Sequence, residues 1–432
     1  MNTTTLRALA CAALLAGCGQ PVQISDVQAT PSPDIVTVVT VSWTTDTAST
    51  GYVAYGPDGD LSLSTGLSAS GTEHSVALVG LSPDTAYSYQ VVVPGEEESL
   101  SKTEELTTEL LPNWLPAMAS DGAAQSGYYM AVPLLSSGGD PVPAILSASG
   151  EFLWYYQEES ALEMYRVRLS VDGQSVLYNL SDVSLEPTEE AMLVRRSLDG
   201  QEVEEISVPG LAHDFIEMDD GTIGAIAVDL RDGVRGDQII EIAPDGSQQS
   251  VWSAFDCFDP AEVEGDLYGL GWTFSNALDY LPDEDAYLVG MYGFGSIVKI
   301  DRATGSCDWV VGETAATMTP DPAFARQHQF ELLDDGGLLV FDNAGGGING
   351  RIVEYDLDPG AGTATERWSY SADVSAIVLG DVHRFDDGET LVTWSYAGQL
   401  DHLDAQGERQ SQINLDVGNV FGFNTIMDTL YR

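Results

Sequence analysis

The chain has five histidines, and two of them occupy the same position relative to a repeated turn. His328 lies eight residues before Gly336 in ARQHQFELLDDGG, and His213 lies eight residues before Gly221 in AHDFIEMDDG. Side chains alternate between the two faces of a strand, so equal spacing to equivalent turns predicts that both imidazoles point to one place. An imidazole there can be an acid, a base, a nucleophile or a metal ligand.

The other groups near these turns do not add a clear metal site. His383 is five residues before Gly388, so on a regular strand it should face the other way, and His402 follows a different turn. Two histidines without an evident third ligand at fixed spacing lead us to expect no metal and no cofactor. Asp214 either orients His213 or is simply an acid near a turn. The alternative to chemistry is that both imidazoles satisfy buried polar groups.

The elements that position the histidines are repeated hairpins. Six segments such as APDGSQQSVW and DAQGERQSQI end in an aromatic or aliphatic residue at intervals of 45 to 59 residues. These terminal residues are Trp154, Ile206, Trp252, Trp309, Trp368 and Ile413. A repeat of about 50 residues with several strands in each unit is typical of a β-propeller blade. The sequence therefore predicts an all-β protein with a six-bladed β-propeller over residues 111–432, whose inner strands line a central channel.

A smaller β-domain is predicted ahead of the propeller, over residues 37–110. Short alternating strands separated by turn residues are typical of a β-sandwich. The segment LSPDTAYSYQVVV resembles the tyrosine corner of fibronectin type III domains. The matching residues are Leu81, Pro83, Thr85 and Tyr87, with Trp43 as the core tryptophan. His74, beside Glu73, is expected to be exposed and has no assigned role.

The first residues predict export and anchoring. Residues 1–17 have a positive start, an apolar centre and LAG before Cys18, which is typical of a secretory signal. The segment resembles a bacterial lipoprotein signal, so Cys18 would be lipidated in the cell envelope, with residues 18–36 as a tether. The alternative is an ordinary signal peptide. In that oxidising compartment Cys257 and Cys307 are expected to form a disulfide.

The charge of the chain excludes some partners. There are 68 acidic and 16 basic residues, for a formal net charge of −52. Such a surface should repel nucleic acid and anionic lipid, so we expect no nucleic-acid partner and membrane attachment only through the lipid.

Residues 210–410 resemble the bacterial arylsulfotransferase (aryl-sulfate sulfotransferase) family of periplasmic six-bladed propellers. The resemblance rests on HDFIEMDDG, RQHQFELLDDGGLLVFDN and GDVHRFDDGETLVTWSYAGQLDHLDAQGE, in the order that the family has them. It implies that His328 accepts a sulfuryl group from an aryl sulfate and passes it to a phenol, without PAPS. In the family, other histidines and an arginine bind the sulfuryl oxygens. His213 would be a second catalytic residue, as an acid, a base or an oxyanion donor.

Two polar positions of the family are aromatic here. Phe274 in WTFSN stands where the family has a histidine, and Tyr292 in GMYGF stands where it has an arginine. Each lost donor to a developing oxyanion typically costs about 10² to 10³ in rate. Tyr292, Asn276 and Arg326 are the remaining candidates for substrate binding, Arg326 because a two-residue step on a strand would put it on the face of His328. The alternatives are a propeller without catalysis that binds a ligand or a protein, and a purely structural surface protein.

The lipid anchor gives a test that is independent of the fold. Changing Cys18→Ala should release the protein from the envelope membrane or leave it unprocessed, because the acceptor thiol is lost. Fractionation and mass analysis of the N-terminus measure this outcome. A wild-type chain found unmodified in the cytoplasm would contradict the prediction.

Overall fold

The computed structural model describes residues 21–123, 125–136, 139–182, 190–262, 270–344 and 349–431, and it is built almost entirely of strands. The signal peptide, residues 1–17, and Cys18 lie outside the described residues. The described residues form two compact units, one of residues 21–29, 41–76 and 87–106 and one of residues 30–40, 77–86 and 107–431. No helix in these described ranges is long and apolar enough to cross a membrane.

The N-terminal strands form a β-sandwich. They are β1 (Ile24–Pro31), β2 (Val39–Ser49), β3 (Tyr52–Pro57), β4 (Leu63–Ser64), β5 (Gly71–Leu78), β6 (Ala86–Val93), β7 (Ser99–Leu100) and β8 (Glu104–Thr107). One sheet has the order β1-β2-β5, and the other has the order β4-β3-β6-β7, with β8 also paired to β6. This confirms the predicted N-terminal β-sandwich. Strand β1 forms within the segment expected to be a tether.

The sandwich core contains one prediction that was confirmed and one that was wrong. Trp43 is buried, as predicted. His74, which was expected to be exposed, is buried as well, because its ring stacks on Trp43 with a centroid distance of 4.9 Å. Its nitrogens lie 3.0 Å from Thr45 Oγ1 and 2.9 Å from Ser68 Oγ, so both polar atoms of the ring are satisfied inside the sandwich.

The first half of the propeller contains three blades. Strand β9 (Met118–Gly122) precedes them. Blade 1 contains β10 (Tyr129–Ser136), β11 (Val142–Ser147) and β12 (Phe152–Tyr155). Blade 2 contains β13 (Val167–Leu169), β14 (Ser175–Leu180), β15 (Met192–Ser197) and β16 (Val203–Ser207). Blade 3 contains β17 (Leu211–Glu217), β18 (Ile223–Arg231), β19 (Val234–Ile242) and β20 (Gln248–Ser253).

The second half completes the ring. The helix α1 (Ala254–Cys257) and a 3₁₀ turn (Pro260–Glu262) follow blade 3. Blade 4 contains β21 (Ser275–Leu281), β22 (Ala286–Met291), β23 (Ser296–Asp301) and β24 (Cys307–Gly312). Blade 5 contains β25 (Thr319–Asp321), β26 (Phe330–Leu332), β27 (Leu338–Asp342), β28 (Arg351–Asp358) and β29 (Thr363–Ser371). Blade 6 contains β30 (Asp381–Arg384), β31 (Thr390–Trp394), a 3₁₀ turn (Ser395–Ala397), β32 (Gln399–Leu403) and β33 (Arg409–Leu415). Strands β34 (Asn419–Phe421) and β35 (Thr425–Met427) come last.

Strands from both ends of the propeller sequence close the ring. Strand β9 is the outermost strand of blade 6, where it pairs antiparallel with β33. Strands β34 and β35 both pair with β10 and so supply the inner edge of blade 1. Six sheets therefore surround the channel, which confirms the predicted six-bladed propeller.

The hairpin turns that follow the two histidines both contain an Asp-Gly pair, Asp220-Gly221 and Asp335-Gly336. Gly221 and Gly336 have φ values of +82° and +84°, in the left-handed region where a residue without Cβ has no steric penalty. Each turn joins the inner strand of its blade to the next strand, β17 to β18 and β26 to β27. The turns therefore set the register that carries His213 and His328 toward the channel.

A disulfide joins the short helix that follows blade 3 to the outer strand of blade 4. Cys257, at the end of α1, is bonded to Cys307, the first residue of β24, with a Cα–Cα distance of 6.3 Å. This confirms the predicted pairing, and it lies well within the range of ordinary disulfides.

Removing this disulfide should destabilise the propeller. A loop of 50 residues corresponds to roughly 4 kcal/mol in the chain-entropy treatment of the unfolded state. We expect the double variant Cys257→Ala/Cys307→Ala to unfold at a lower urea concentration by about that free energy. Urea titrations of the oxidised wild type, the reduced wild type and the variant measure it, and equal midpoints for all three would contradict the prediction.

Candidate active site

His328 is held by hydrogen bonds on both ring nitrogens. Its backbone N–H donates to the Phe341 carbonyl, which places the residue just before β26. Nε2 accepts a hydrogen bond from the Leu379 backbone N–H at 3.0 Å, so the ring proton is on Nδ1, which donates to Asn343 Oδ1 at 2.8 Å. Burial lowers the pKa of His328 to about 3, against the opposing hydrogen bond to Asn343. The ring is therefore neutral, with its lone pair on Nε2.

Asn343 fixes this tautomer because its own orientation is fixed. Its Nδ2 donates to the carbonyls of Ala376 and Leu379, at 2.7 and 2.9 Å, so Oδ1 must face the imidazole. Leu379 itself has a φ of +54°, an uncommon backbone conformation for a residue with a branched side chain. The segment that covers Nε2 is thus tied to the same amide that orients the ring.

His213 lies on β17 in an aromatic environment. Its Nδ1 donates to the Ser275 carbonyl at 3.1 Å, which leaves the lone pair on Nε2. The ring centroids of Tyr165 and Phe274 lie 4.7 and 5.0 Å from that of His213. Burial lowers the pKa of His213 to about 4, so this imidazole is also neutral at physiological pH.

Phe274 and Tyr292 lie between the two histidines. The centroid distances are 5.0 Å from His213 to Phe274, 5.9 Å from Phe274 to Tyr292 and 5.1 Å from Tyr292 to His328. The Tyr292 N–H donates to the Phe274 carbonyl at 3.2 Å, which ties the two aromatic residues together. The four positions singled out in the sequence are therefore neighbours, and two aromatic rings fill the space between the imidazoles.

The backbone before β21 is held in place by a buried carboxylate. Asp237 accepts hydrogen bonds from Thr273 Oγ1 and from the Ser275 N–H, each at 2.6 Å. Between them Phe274 has a φ of +42°, in the left-handed region. Asp237 thus holds a strained residue whose ring contacts His213.

Arg326 lies beside this cluster, but not for the reason that the sequence suggested. Strand β26 begins only at Phe330, and Arg326 has a φ of +60°, so the prediction of a shared strand face with His328 was wrong. Its guanidinium instead lies over the Tyr292 ring, 5.1 Å from the centroid. Its buried Nη1 has no hydrogen-bond partner among the described residues.

Asn276 is used within the fold. It is fully buried on β21, and its Nδ2 donates to the Gln327 carbonyl at 3.0 Å. The amide donor proposed for substrate therefore connects blade 4 to the backbone beside His328. Its Oδ1 accepts no hydrogen bond from the residues that the structure describes.

Asp214 does not orient His213. It belongs to a ring of buried polar groups, most of which come one residue after the position that the two histidines occupy in their blades. This polar ring has one member from each of five blades, namely Arg166, Asp214, Gln329, Asp381 and Asn424. Asp214 accepts from Arg166 Nε and Nη2 at 2.9 and 3.0 Å, and from Gln329 Nε2 at 3.2 Å. Blade 4 contributes the Leu278 N–H, which donates to Asp214 at 3.1 Å. Burial acts to raise the pKa of Asp214, yet Arg166 and Arg168 hold it below its usual value.

A simple signal in the sequence could have revealed the residues that were missed. Four members of the polar ring lie seven residues before the turn glycine of their blade, and these are Arg166, Asp214, Gln329 and Asp381. Tyr165 lies eight residues before Gly173, in the same position as the two histidines. Comparing every residue type at a given offset, rather than histidines alone, would have found both layers.

The described residues contain no group of three or more histidine, cysteine, aspartate or glutamate side chains that could hold a metal ion. Each of the two imidazoles donates a hydrogen bond from Nδ1 to an oxygen of the protein. What the arrangement offers chemically is two neutral imidazoles, each with its lone pair on Nε2, and an arginine.

The chain is similar to known proteins mainly through its propeller. A family model described as Arylsulfotransferase (ASST) matches residues 117–421, and a model of the purple acid phosphatase N-terminal domain matches residues 25–108. No curated protein matches the chain.

Solved structures are similar only at low identity. One is a protein of unknown function from Bacteroides caccae, with 15% identity over 70% of this chain and 99% of that chain and a TM-score of 0.47. Another is a catalytically inactive virginiamycin B lyase from Staphylococcus aureus with quinupristin, with 11% identity over 72% of this chain and 99% of that chain and a TM-score of 0.43. A third is a periplasmic gluconolactonase of Pseudomonas aeruginosa, with 13% identity over 69% of this chain and 99% of that chain and a TM-score of 0.41.

The protonation states of His213 and His328 can be measured directly. Histidines in the unfolded chain have a pKa near 6.5, whereas burial lowers the folded values to about 4 and about 3. The unfolded state therefore binds more protons over this interval, so the free energy of unfolding should fall as pH drops from above 6.5 toward these values. The ring nitrogen chemical shifts of both residues should stay nearly constant from about pH 8 to about pH 5. Titration of either ring near 6.5 in the folded protein would contradict the described burial.

Proposed function

Because the chain belongs to the arylsulfotransferase (ASST) family, we propose that it transfers a sulfuryl group from an aryl sulfate to a phenol through Nε2 of His328. The observation that supports this most strongly is the tautomer of His328. Asn343 holds the proton on Nδ1, so the lone pair of a neutral imidazole is on the nitrogen away from that amide. A nucleophilic histidine needs this state at neutral pH.

The transfer has two steps. The Nε2 lone pair of His328 attacks sulfur, an N–S bond forms, and the aryloxide leaves with the electron pair of the broken S–O bond. A phenol then attacks the sulfur, its proton passes to Nε2 of His213 and from there to solvent, and the N–S electron pair returns to His328. The Nδ1 proton stays in place throughout, so Asn343 Oδ1 stabilises the positive ring of the intermediate.

Arg326 is the residue that would bind the sulfuryl oxygens. Ten of the described arginines form ion pairs with carboxylates, as expected in so acidic a chain: Arg166, Arg168, Arg195, Arg196, Arg231, Arg302, Arg351, Arg367, Arg384 and Arg409. Arg326 forms none with a described residue, and it lies over the ring that contacts His328. A guanidinium with unused donors fits an anionic sulfuryl group, and Tyr292 adds a phenol beside it.

One contact favours a second candidate function, which is binding without catalysis. The Leu379 N–H occupies Nε2 of His328, so attack requires that this hydrogen bond of about 1 kcal/mol be broken and the covering segment move. If the segment stays, the rings of Tyr165, Phe274 and Tyr292 make the region suitable for holding an aromatic ligand by stacking. Catalysis is favoured over this alternative by the oriented tautomer, which binding does not need.

We propose the cell envelope as the location, with the chain lipidated at Cys18. The leader segment supports this proposal, and so does the disulfide between Cys257 and Cys307, since structural disulfides persist mainly in oxidising compartments.

The transfer can be tested by trapping the intermediate. Wild-type protein incubated with 4-nitrophenyl sulfate should carry a sulfuryl group on the peptide that contains His328, and phenol should remove it. The variant His328→Ala should carry none, because the nucleophile is lost.

Asn343→Leu should lower kcat by about tenfold, the equivalent of one hydrogen bond of about 1.4 kcal/mol to the ring. Arg326→Met should raise KM for the sulfate about tenfold to a hundredfold, because charge-assisted contacts are lost.

The matched control is His74→Gln, which removes a buried histidine from the other compact unit and should leave transfer unchanged. Wild-type protein that binds 4-nitrophenol in a Phe274-dependent manner yet never forms a sulfurylated peptide would support the binding function instead.

A further inference from the structure

The propeller channel contains a cavity on the side of the polar ring away from His213 and His328. Its volume is about 200 Å³, and the inner strands of five blades contribute to its walls. The polar side chains of the wall include Arg168, Asp279, Glu331 and His383, together with the polar-ring members Arg166, Gln329, Asp381 and Asn424. Neither His213 nor His328 is among its lining residues. The proposed transfer reaction therefore does not use this space.

The cavity has more carboxylates than cationic side chains to neutralise them. Arg166 and Arg168 both pair with Asp214, which is fully buried in the polar ring and lies outside the cavity wall, and Arg166 also pairs with Asp381 at 3.3 Å. Asp279, Glu331 and Asp381 face the cavity in addition to that carboxylate. Four carboxylates thus share two guanidinium groups. Burial raises the pKa of Asp279, and the charges of Glu331 and Asp214 raise it further.

The other charged groups packed around the cavity do not remove this excess. Glu331 accepts a hydrogen bond from the Arg384 backbone N–H at 2.8 Å, and His383 Nδ1 lies 3.5 Å from the same carboxylate. The Arg384 side chain is directed to Glu354, at 2.9 Å. Asp279 accepts a hydrogen bond from the neighbouring Tyr280 N–H at 2.8 Å. Even a protonated His383 would leave the four carboxylates and two guanidinium groups with a net charge of −1.

A buried acceptor in the same wall points independently to a ligand that donates hydrogen bonds. Asn424 lines the cavity and is only 8% exposed, yet its Oδ1 accepts no hydrogen bond from the described residues. Its Nδ2 donates to Thr393 Oγ1 at 2.6 Å, so the amide is oriented with the oxygen as the unused atom. Buried acceptors without partners are uncommon in folded proteins.

We propose that this cavity binds a small organic cation, an alkylamine or alkylguanidine. The ammonium or guanidinium group donates to Asp279, Glu331 and Asn424 Oδ1, while Leu278, Phe330 and Ile426 contact the alkyl part. The excess of carboxylates disfavours an anionic ligand. The described residues contain no group of acids, histidines and cysteines that could hold a metal ion, so hydrogen-bond donors on an organic ligand fit the wall better.

Calorimetric titration with n-butylguanidinium and 1,4-diaminobutane tests this proposal in the absence of any sulfate ester. Neutral n-butylurea, with the same shape and no charge, should not bind. Asp279→Asn and Glu331→Gln should each weaken binding of the cation by about tenfold to a hundredfold, the range for hydrogen bonds to charged groups. The matched control is Asp308→Asn, which removes the same charge from an exposed position on β24, and it should bind as the wild type does.

Two variants on different blades keep the test decisive if one of them does not fold, and thermal unfolding of each identifies that case. Binding that is equal in both variants and the control and that vanishes with added salt would mean adsorption to the acidic surface. Absence of cation binding to the wild type, or equal binding of n-butylurea, would likewise overturn the proposal. The transfer function of His328 is unaffected by either result.

Discussion

The channel of this propeller depends on the buried ion pairs and hydrogen bonds of the Asp214 carboxylate. This carboxylate has no contact with solvent, and it is held by two guanidinium side chains of blade 2, an amide of blade 5 and a backbone N–H of blade 4. Removing a charge from water costs several kcal/mol, and only a complete set of partners offsets this. Because the partners come from different blades, they are together only when the blades are correctly arranged. An incorrect arrangement of the blades would leave this buried carboxylate without its partners, which is strongly destabilising.

The site above the ring depends on it for position. His213 precedes Asp214 in the chain, Tyr165 precedes Arg166, and His328 precedes Gln329, so these three side chains are each fixed through the neighbouring ring member. Only His213 and Asp214 lie within an inner strand, whereas the other two pairs immediately precede β13 and β26. The rigid layer below and the covering segment around Leu379 above give His328 an environment that keeps it neutral.

The architecture follows from local patterns that a single sequence contains. Six recurrent segments that end in tryptophan or isoleucine predicted six blades, and equal offsets predicted that His213 and His328 point to one place. What these patterns could not predict were contacts between distant segments. Asn343 and Leu379 reach His328 across 15 and 51 residues without any shared period. Arg326 was misplaced because its left-handed backbone breaks the strand alternation that the prediction assumed. The burial of His74 depends on its stacking on Trp43 of the neighbouring strand β2, which no local pattern encodes.

The closure of the ring has a consequence for how the chain folds. Blade 1 obtains its inner edge from β34 and β35, where Leu134 pairs with Phe421 and Met130 with Ile426. These pairings join residues from opposite ends of the propeller sequence, and such long loop closures are slow compared with hairpin formation. Until they form, β10 is an open edge of apolar residues, the kind of strand that pairs readily with other chains. Partly folded chains are therefore most prone to aggregate before β34 and β35 pair with β10. The high negative charge of the chain opposes this aggregation, because partly folded molecules repel one another.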